Sequence, residues 1–335
     1  MPSGAAGTHL ANWLDNASGG ESLSETVAPA NPDLQPQHWH RDHWEQTFGT
    51  EHRVDLRPRW PEGVRIAVML TFDTQGDVDA ALPRYQLSSC MWRDGRINYC
   101  DLAQRQYDIR RGLPRILSIL DRYDIRATFP ITGVTAEWYP ESVEAIAARG
   151  HEVAVHGYRH IPLFNFDADE ERQELEAATK AVENVLGKRP VGWRSPMYST
   201  TTNTIRILTE LGYLYNSDFH NDDLPYILEN EAGRIVEVPA GLDDWELNLI
   251  QVPENVGMGG VPFASPSHVT DVLVSHFNML YQESADEPRV MQFCMHPKIT
   301  GQPHRAWGLQ NLISHIQSHE GVWFCSMEDL AKLCV

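Results

Sequence analysis

The chain has 335 residues, 42% of them hydrophobic, and carries 46 acidic against 27 basic side chains for a net charge of -19. It is long enough to bury a large core, and its charge repels nucleic acid and anionic membrane surfaces; no run of 18 apolar residues offers a membrane span. Five cysteines (Cys90, Cys100, Cys294, Cys325 and Cys334) form no C-x-x-C pair and no basic-then-apolar leader opens the chain, so the expectation is a cytoplasmic protein with reduced thiols.

Residues 1–61 are rich in Gly, Ser, Asn, Pro and His without a sustained period and read as an extended N-terminal arm, leaving 62–335 as the barrel domain. Within the arm, Gln37-His38-Trp39-His40-Arg41-Asp42-His43-Trp44 interleaves aromatic and imidazole side chains. Its tryptophans suit anchors onto the chain itself or a neighbouring subunit, so a homo-oligomer is expected.

Beyond Arg65, short apolar runs alternate with longer amphipathic stretches. Strands are predicted at 66–72, 127–131, 153–155, 191–194, 235–238 and 290–295, and helices at 113–123, 142–148, 169–186, 202–211, 269–281 and 309–318. This alternation argues for an α/β fold, a parallel sheet of βα units closed or nearly closed into a barrel. Chemistry in such folds gathers at the carboxyl ends of strands.

Polar residues fall at those ends. The first strand stops at Asp73-Thr74-Gln75-Gly76-Asp77, a later one at His156, another at Arg194-Ser195-Pro196, and the last at His296-Pro297. His156 and His160 stand four apart around Gly157, so a turn there would bring both imidazoles to one ion. The bland alternative is a pair of buried, backbone-bonded histidines. An aspartate can take a proton from water, an arginine can orient it, and a further histidine can protonate a departing nitrogen.

On these residues the chain resembles the polysaccharide deacetylase superfamily, and more narrowly its intracellular branch of allantoinase-like enzymes, cyclic imide hydrolases and atypical peptidoglycan deacetylases. The resemblance rests on Gly150-His151-Glu152 leading into His156-Gly157-Tyr158-Arg159-His160, on Asn221-Asp222-Asp223-Leu224-Pro225-Tyr226, and on Leu242-Asp243-Asp244-Trp245. It rests further on His296-Pro297-Lys298-Ile299-Thr300-Gly301-Gln302-Pro303-His304-Arg305, which fits H-P-x-x-x-G-x-P-x-R, and on the closing Ser318-His319-Glu320-Gly321-Val322-Trp323-Phe324.

The resemblance implies a distorted (β/α) barrel, Asp73 as catalytic base, Arg194 beside it, His296 as the acid, and His156 with His160 as ligands of a divalent metal, zinc foremost. Tyr158, Tyr198, Tyr226 and Trp245 would line the substrate cleft. Family members that bind metal place a second aspartate just after the base, where this chain has Thr74 and Gln75. Glutamine offers a carbonyl oxygen without charge, so either Asp73 or Asp77 completes the site beside Gln75, or the ion is held weakly, or the mechanism is metal-free. The expected function is hydrolysis of a non-peptide C–N bond in a small cyclic amide, imide or ureide by metal-activated water. The alternatives are N-deacetylation of an amino sugar or peptidoglycan fragment, and a non-catalytic binding barrel.

Overall fold

A computed structural model describes residues 52–55, 58–78, 92–93, 96–97, 99–244 and 267–335. Trp245, Cys90, the aromatic segment 37–44 and nearly all of the segment read as an arm lie outside these residues.

The strands are β1 (His52–Asp55), β2 (Ile66–Phe72), β3 (Trp92–Arg93), β4 (Arg96–Ile97), β5 (Thr128–Ile131), β6 (Glu152–Val155), β7 (Gly192–Trp193), β8 (Tyr215–Asn216), β9 (Tyr226–Asn230), β10 (Gly233–Glu237), β11 (Leu242–Asp243), β12 (Arg289–Met295) and β13 (Val322–Phe324). The helices are α1 (Tyr99–Arg105), α2 (Leu113–Tyr123), α3 (Gly133–Trp138), α4 (Pro140–Ala147), α5 (Ala168–Leu186), α6 (Thr204–Glu210), α7 (Ser267–Glu283), α8 (Pro297–Thr300), α9 (Pro303–Gln317) and α10 (Met327–Ala331). No described helix is long and apolar enough to cross a membrane.

All strands except β3 and β4 join one mixed sheet in the order β1-β9-β10-β8-β7-β6-β5-β2-β12-β11, with β13 also pairing β2. The pairs from β10 through β8, β7, β6, β5, β2 and β12 to β11 are parallel, while the hairpin β9–β10 and the added β1 are antiparallel. This is the expected α/β arrangement; among the described residues no hydrogen-bonded pair closes β11 onto β1. β1 falls in the segment read from the sequence as an arm, and pairs residue for residue with β9.

β2 explains how the sheet positions a site. Its seven residues are all buried, as befits a parallel strand covered on both faces. Ile66, Val68, Leu70 and Phe72 join the larger core with Leu113, Ile116 and Leu120 of α2. Ala67 and Met69 point the other way, to a smaller core with Val236, Val290, Met327 and Leu330. Side chains alternate along a strand, so Thr71 and Asp73 follow Ala67 and Met69 onto that inner face.

Candidate active site

Strand register assembles the site. Phe72 of β2 lies opposite Met295 of β12, and the Asp73 N–H donates to the Met295 carbonyl at 2.7 Å, so Asp73 and His296 emerge from adjacent strands one residue later. Asp243 of β11 lies opposite Cys294, which carries Asp244 to His296. Across the site Val155 lies opposite Trp193, and the Arg194 N–H donates to the Val155 carbonyl at 2.9 Å, so His156 and Arg194 leave β6 and β7 together.

Arg194 is fully buried. Its Nη1 donates to Asp73 Oδ1 at 2.9 Å and to the Thr71 hydroxyl at 2.8 Å, and its Nε and Nη2 donate to the carbonyl and hydroxyl oxygens of Ser217. Burial alone would raise the pKa of Asp73, but the Arg194 guanidinium, with the His296 imidazolium beyond it, holds it below its ordinary value. Asp73 is therefore a carboxylate.

His296 is tuned the opposite way. Burial would depress it, yet Asp244 Oδ1 stands 2.7 Å from its Nδ1 and Asp243 is close behind, so its pKa is held up at about 9. Asp244 is fixed in turn, its Oδ2 accepting from the His296 backbone N–H and the Thr300 hydroxyl. At neutral pH the imidazolium carries a proton on Nε2 as well as on Nδ1, whose N–H is committed to Asp244.

His156 and His160 meet as expected, with ring centroids 5.0 Å apart. Gly157 makes the turn at φ +71°, where a Cβ would stand 2.6 Å from Pro196 Cγ, and His160 itself adopts φ +58°. His156 Nδ1–H donates to the Arg194 carbonyl at 3.0 Å, and burial pushes its pKa down to about 3 despite Asp73. The ring is neutral and its Nε2 lone pair faces the site.

A divalent ion at this pair needs both lone pairs and further oxygen donors. What faces them instead is an N–H donor. Gln75 Nε2 lies 2.9 Å from His160 Nε2 and 3.4 Å from His156 Nε2, while Gln75 Oε1 accepts from the Lys298 ammonium. The orientation follows from chemistry: an ammonium only donates, so the amide oxygen must face Lys298 and the nitrogen must face the imidazoles. Gln75 thus does not offer its oxygen to the histidines. Asp77 does not complete the pair either, since its carboxylate accepts from Tyr139 and Gln106. Asp73 sets a carboxylate beside the pair, its Oδ2 3.7 Å from His156 Nε2 and its Oδ1 bonded to Arg194. With an amide N–H rather than an oxygen between the two imidazoles, the donor set as arranged does not fit a metal at the histidine pair.

One group of three potential metal-ligating side chains does occur among the described residues, Asp243, Asp244 and His296, with ligand atoms within 4.8 Å of one another. Within this group His296 Nδ1 and both Asp244 oxygens are hydrogen-bonded as above, and Asp243 Oδ2 accepts from the Tyr198 hydroxyl at 2.6 Å.

Tyr198 flanks the centre, with Arg194 over its ring at 5.8 Å. Tyr158 follows His156 on the same turn, its hydroxyl on Glu137. Tyr226 departs from the cleft expectation. It is buried in β9, three places from β7 in the sheet, with Arg53 over its ring and its hydroxyl on Asn221.

Asp244, Lys298 and Asp108 also contribute to the site, without a role implied by the sequence. The first two sit inside motifs that were read, the doubled acid Asp243-Asp244 and His296-Pro297-Lys298. Asp108 lies in a π-helical turn, Asp108–Gly112, and its Oδ2 accepts the N–H groups of Gln75 and Gly76. No pattern in the sequence marks it.

The family model for polysaccharide deacetylases matches residues 102–216. A peptidoglycan deacetylase of Helicobacter pylori is 26% identical over 254 residues, covering 69% of this chain and 86% of the relative. The crystal structure described as "putative polysaccharide deacetylase from Mycobacterium smegmatis" is 31% identical with a TM-score of 0.71, covering 84% of this chain and 95% of that one. The crystal structure of Puue allantoinase is 28% identical with a TM-score of 0.73, covering 84% and 93%.

Proposed function

This chain belongs to the polysaccharide deacetylase family and is a hydrolase acting on C–N bonds, and from that premise we propose that its substrate is a small cyclic amide, imide or ureide. The observation that carries the reading is the pairing of Asp73 and His296 on neighbouring strand ends, a carboxylate bonded to Arg194 beside an imidazolium bonded to Asp244. Two groups held in opposite protonation states supply a base and an acid at one pH.

In this mechanism Asp73 takes a proton from water as the water oxygen attacks the carbonyl carbon, and the carbonyl electron pair moves onto oxygen. Collapse of the tetrahedral oxyanion restores the carbonyl and breaks the C–N bond, with His296 Nε2 giving its proton to the leaving nitrogen. The products are a carboxylate and an amine, amide or urea nitrogen, joined in one opened molecule when the substrate is a ring. The product carboxylic acid and Asp73 give up their protons to solvent, from which His296 regains the one it donated.

Burial supports a small substrate. Asp73, Gln75, His156, His160 and His296 are each at most 6% exposed, which suits a compact ring that can be enclosed better than a polymer strand. The likeness to an allantoinase structure agrees. The peptidoglycan deacetylase relative favours a second reading, removal of acetate from an N-acetylated sugar by the same steps. A panel of cyclic imides, hydantoins, allantoin and N-acetylglucosamine oligomers separates them: ring-opened product supports the first reading, and acetate without ring opening replaces it by the second.

A further inference from the structure

We propose that Lys298, seated on the side chain of Gln75, supplies the positive charge behind the histidine pair and takes the place of a divalent ion there. The inference rests on the hydrolase reading above and deepens it.

Gln75 is held at every polar group. Its backbone N–H donates to Asp108 at 3.3 Å, and its backbone carbonyl accepts from the Thr135 hydroxyl at 2.7 Å. Its side-chain oxygen accepts from Lys298, and its side-chain nitrogen reaches both imidazoles. A side chain that had merely lost a ligand function would have no need of such fixing. The amide nitrogen stands where the lone pairs of His156 and His160 converge, the position a shared ion would take. The charge an ion would bring sits one group further out, on Lys298.

Lys298 enters from the same turn as the acid. It lies two residues beyond His296, in α8, and that turn is pressed against the π-helical turn bearing Asp108: a Cβ on Gly112 would stand 2.1 Å from the Pro297 carbonyl oxygen. Asp108 and Lys298 therefore grip Gln75 from the two sides of one close backbone contact. The oxyanion formed by water attack would lie in the field of a fixed cation held behind the Gln75 amide, which needs no reorganisation and no bound ion. Lys298 acts through Gln75 and is in that sense a positioning residue. Gln75→Asp alone would only pair with Lys298, so restoring a metal centre requires both positions to change.

The test is titration of the full-length chain with zinc, followed by calorimetry and metal analysis, for the wild type, Gln75→Asp/Lys298→Met, and each in a His160→Ala background. The expected result is no zinc on the wild type that depends on His160, and on the order of 100-fold tighter, His160-dependent zinc on the double variant. Stoichiometric, His160-dependent zinc on the wild type overturns the proposal, and does so even if the double variant fails to fold. Equal zinc affinity of folded wild type and double variant overturns it too. On a turned-over substrate, Lys298→Met should lower kcat with KM nearly unchanged, and Lys298→Ala, which leaves the space open, should regain activity with added ethylammonium, whereas unchanged kcat overturns the charge role. The zinc measurement needs no turnover, so a chain inactive on every amide would remove the functional reading while this inference stood or fell on metal content.

Discussion

Nδ1 of His296 and Oδ1 of Asp244 lie 2.7 Å apart, and both side chains are buried. The contact couples residues 52 positions apart and decides which proton the site can give away.

Asp244→Asn removes the negative charge nearest His296, and burial then pushes the imidazole down. His296 must carry its proton to act as acid, so wild-type activity is present below about 9 and lost as pH rises through it. In the variant that alkaline limb moves to lower pH, and kcat at neutral pH falls by on the order of 100-fold. Profiles of kcat/KM against pH check this. Thermal melting follows the same linkage: the folded pKa lies above the ordinary 6.5, so the pair's stabilisation is full below 6.5 and disappears as pH rises through about 9.

Arg194→Met leaves Asp73 buried without the guanidinium bonded to its Oδ1. Breaking a buried pair from one side costs about 3–5 kcal/mol, read by denaturant unfolding. Burial then raises the Asp73 pKa, and because the base must be ionised, the acid limb of activity moves to higher pH. In the wild type Asp73 is depressed, so its stabilisation is present above the ordinary 3.8 and lost as pH falls through the lower folded value.

Gly157→Ala places a methyl group 2.6 Å from Pro196 Cγ on a backbone at φ +71°. The strain costs about 1–3 kcal/mol and shifts the turn that sets His160 beside His156. Denaturant unfolding should show the loss, and kcat should fall more than the stability change alone accounts for at a temperature where the variant is fully folded.

The parts of this site that could be read from sequence are those fixed locally. The apolar run 66–72 is a strand with those limits because both faces are buried, and Asp73 follows from where it stops. Gly157 signals the turn that joins the two histidines, and the helix at 113–123 follows its apolar spacing. Distant contacts were not legible. Gln75 was weighed as an oxygen donor, but its orientation is set by a lysine 223 residues away. The family resemblance implies Tyr226 in the cleft, but the hairpin of β9 and β10 carries its ring under Arg53 at the antiparallel side of the sheet. The helix predicted from 309 begins at Pro303, where proline suits the first turn and Ala306 already packs into the core.

The central claim is that Asp73 is the base of a C–N hydrolase. The direct measurement is the steady-state rate of the folded Asp73→Asn variant and of the wild type on whichever amide of the panel the wild type opens or deacetylates, followed by product NMR. The expected kcat of Asp73→Asn is lower by on the order of 100- to 10,000-fold, with substrate still bound. Turnover by Asp73→Asn at the wild-type rate, or no C–N cleavage by the wild type on any member of the panel, would contradict that claim.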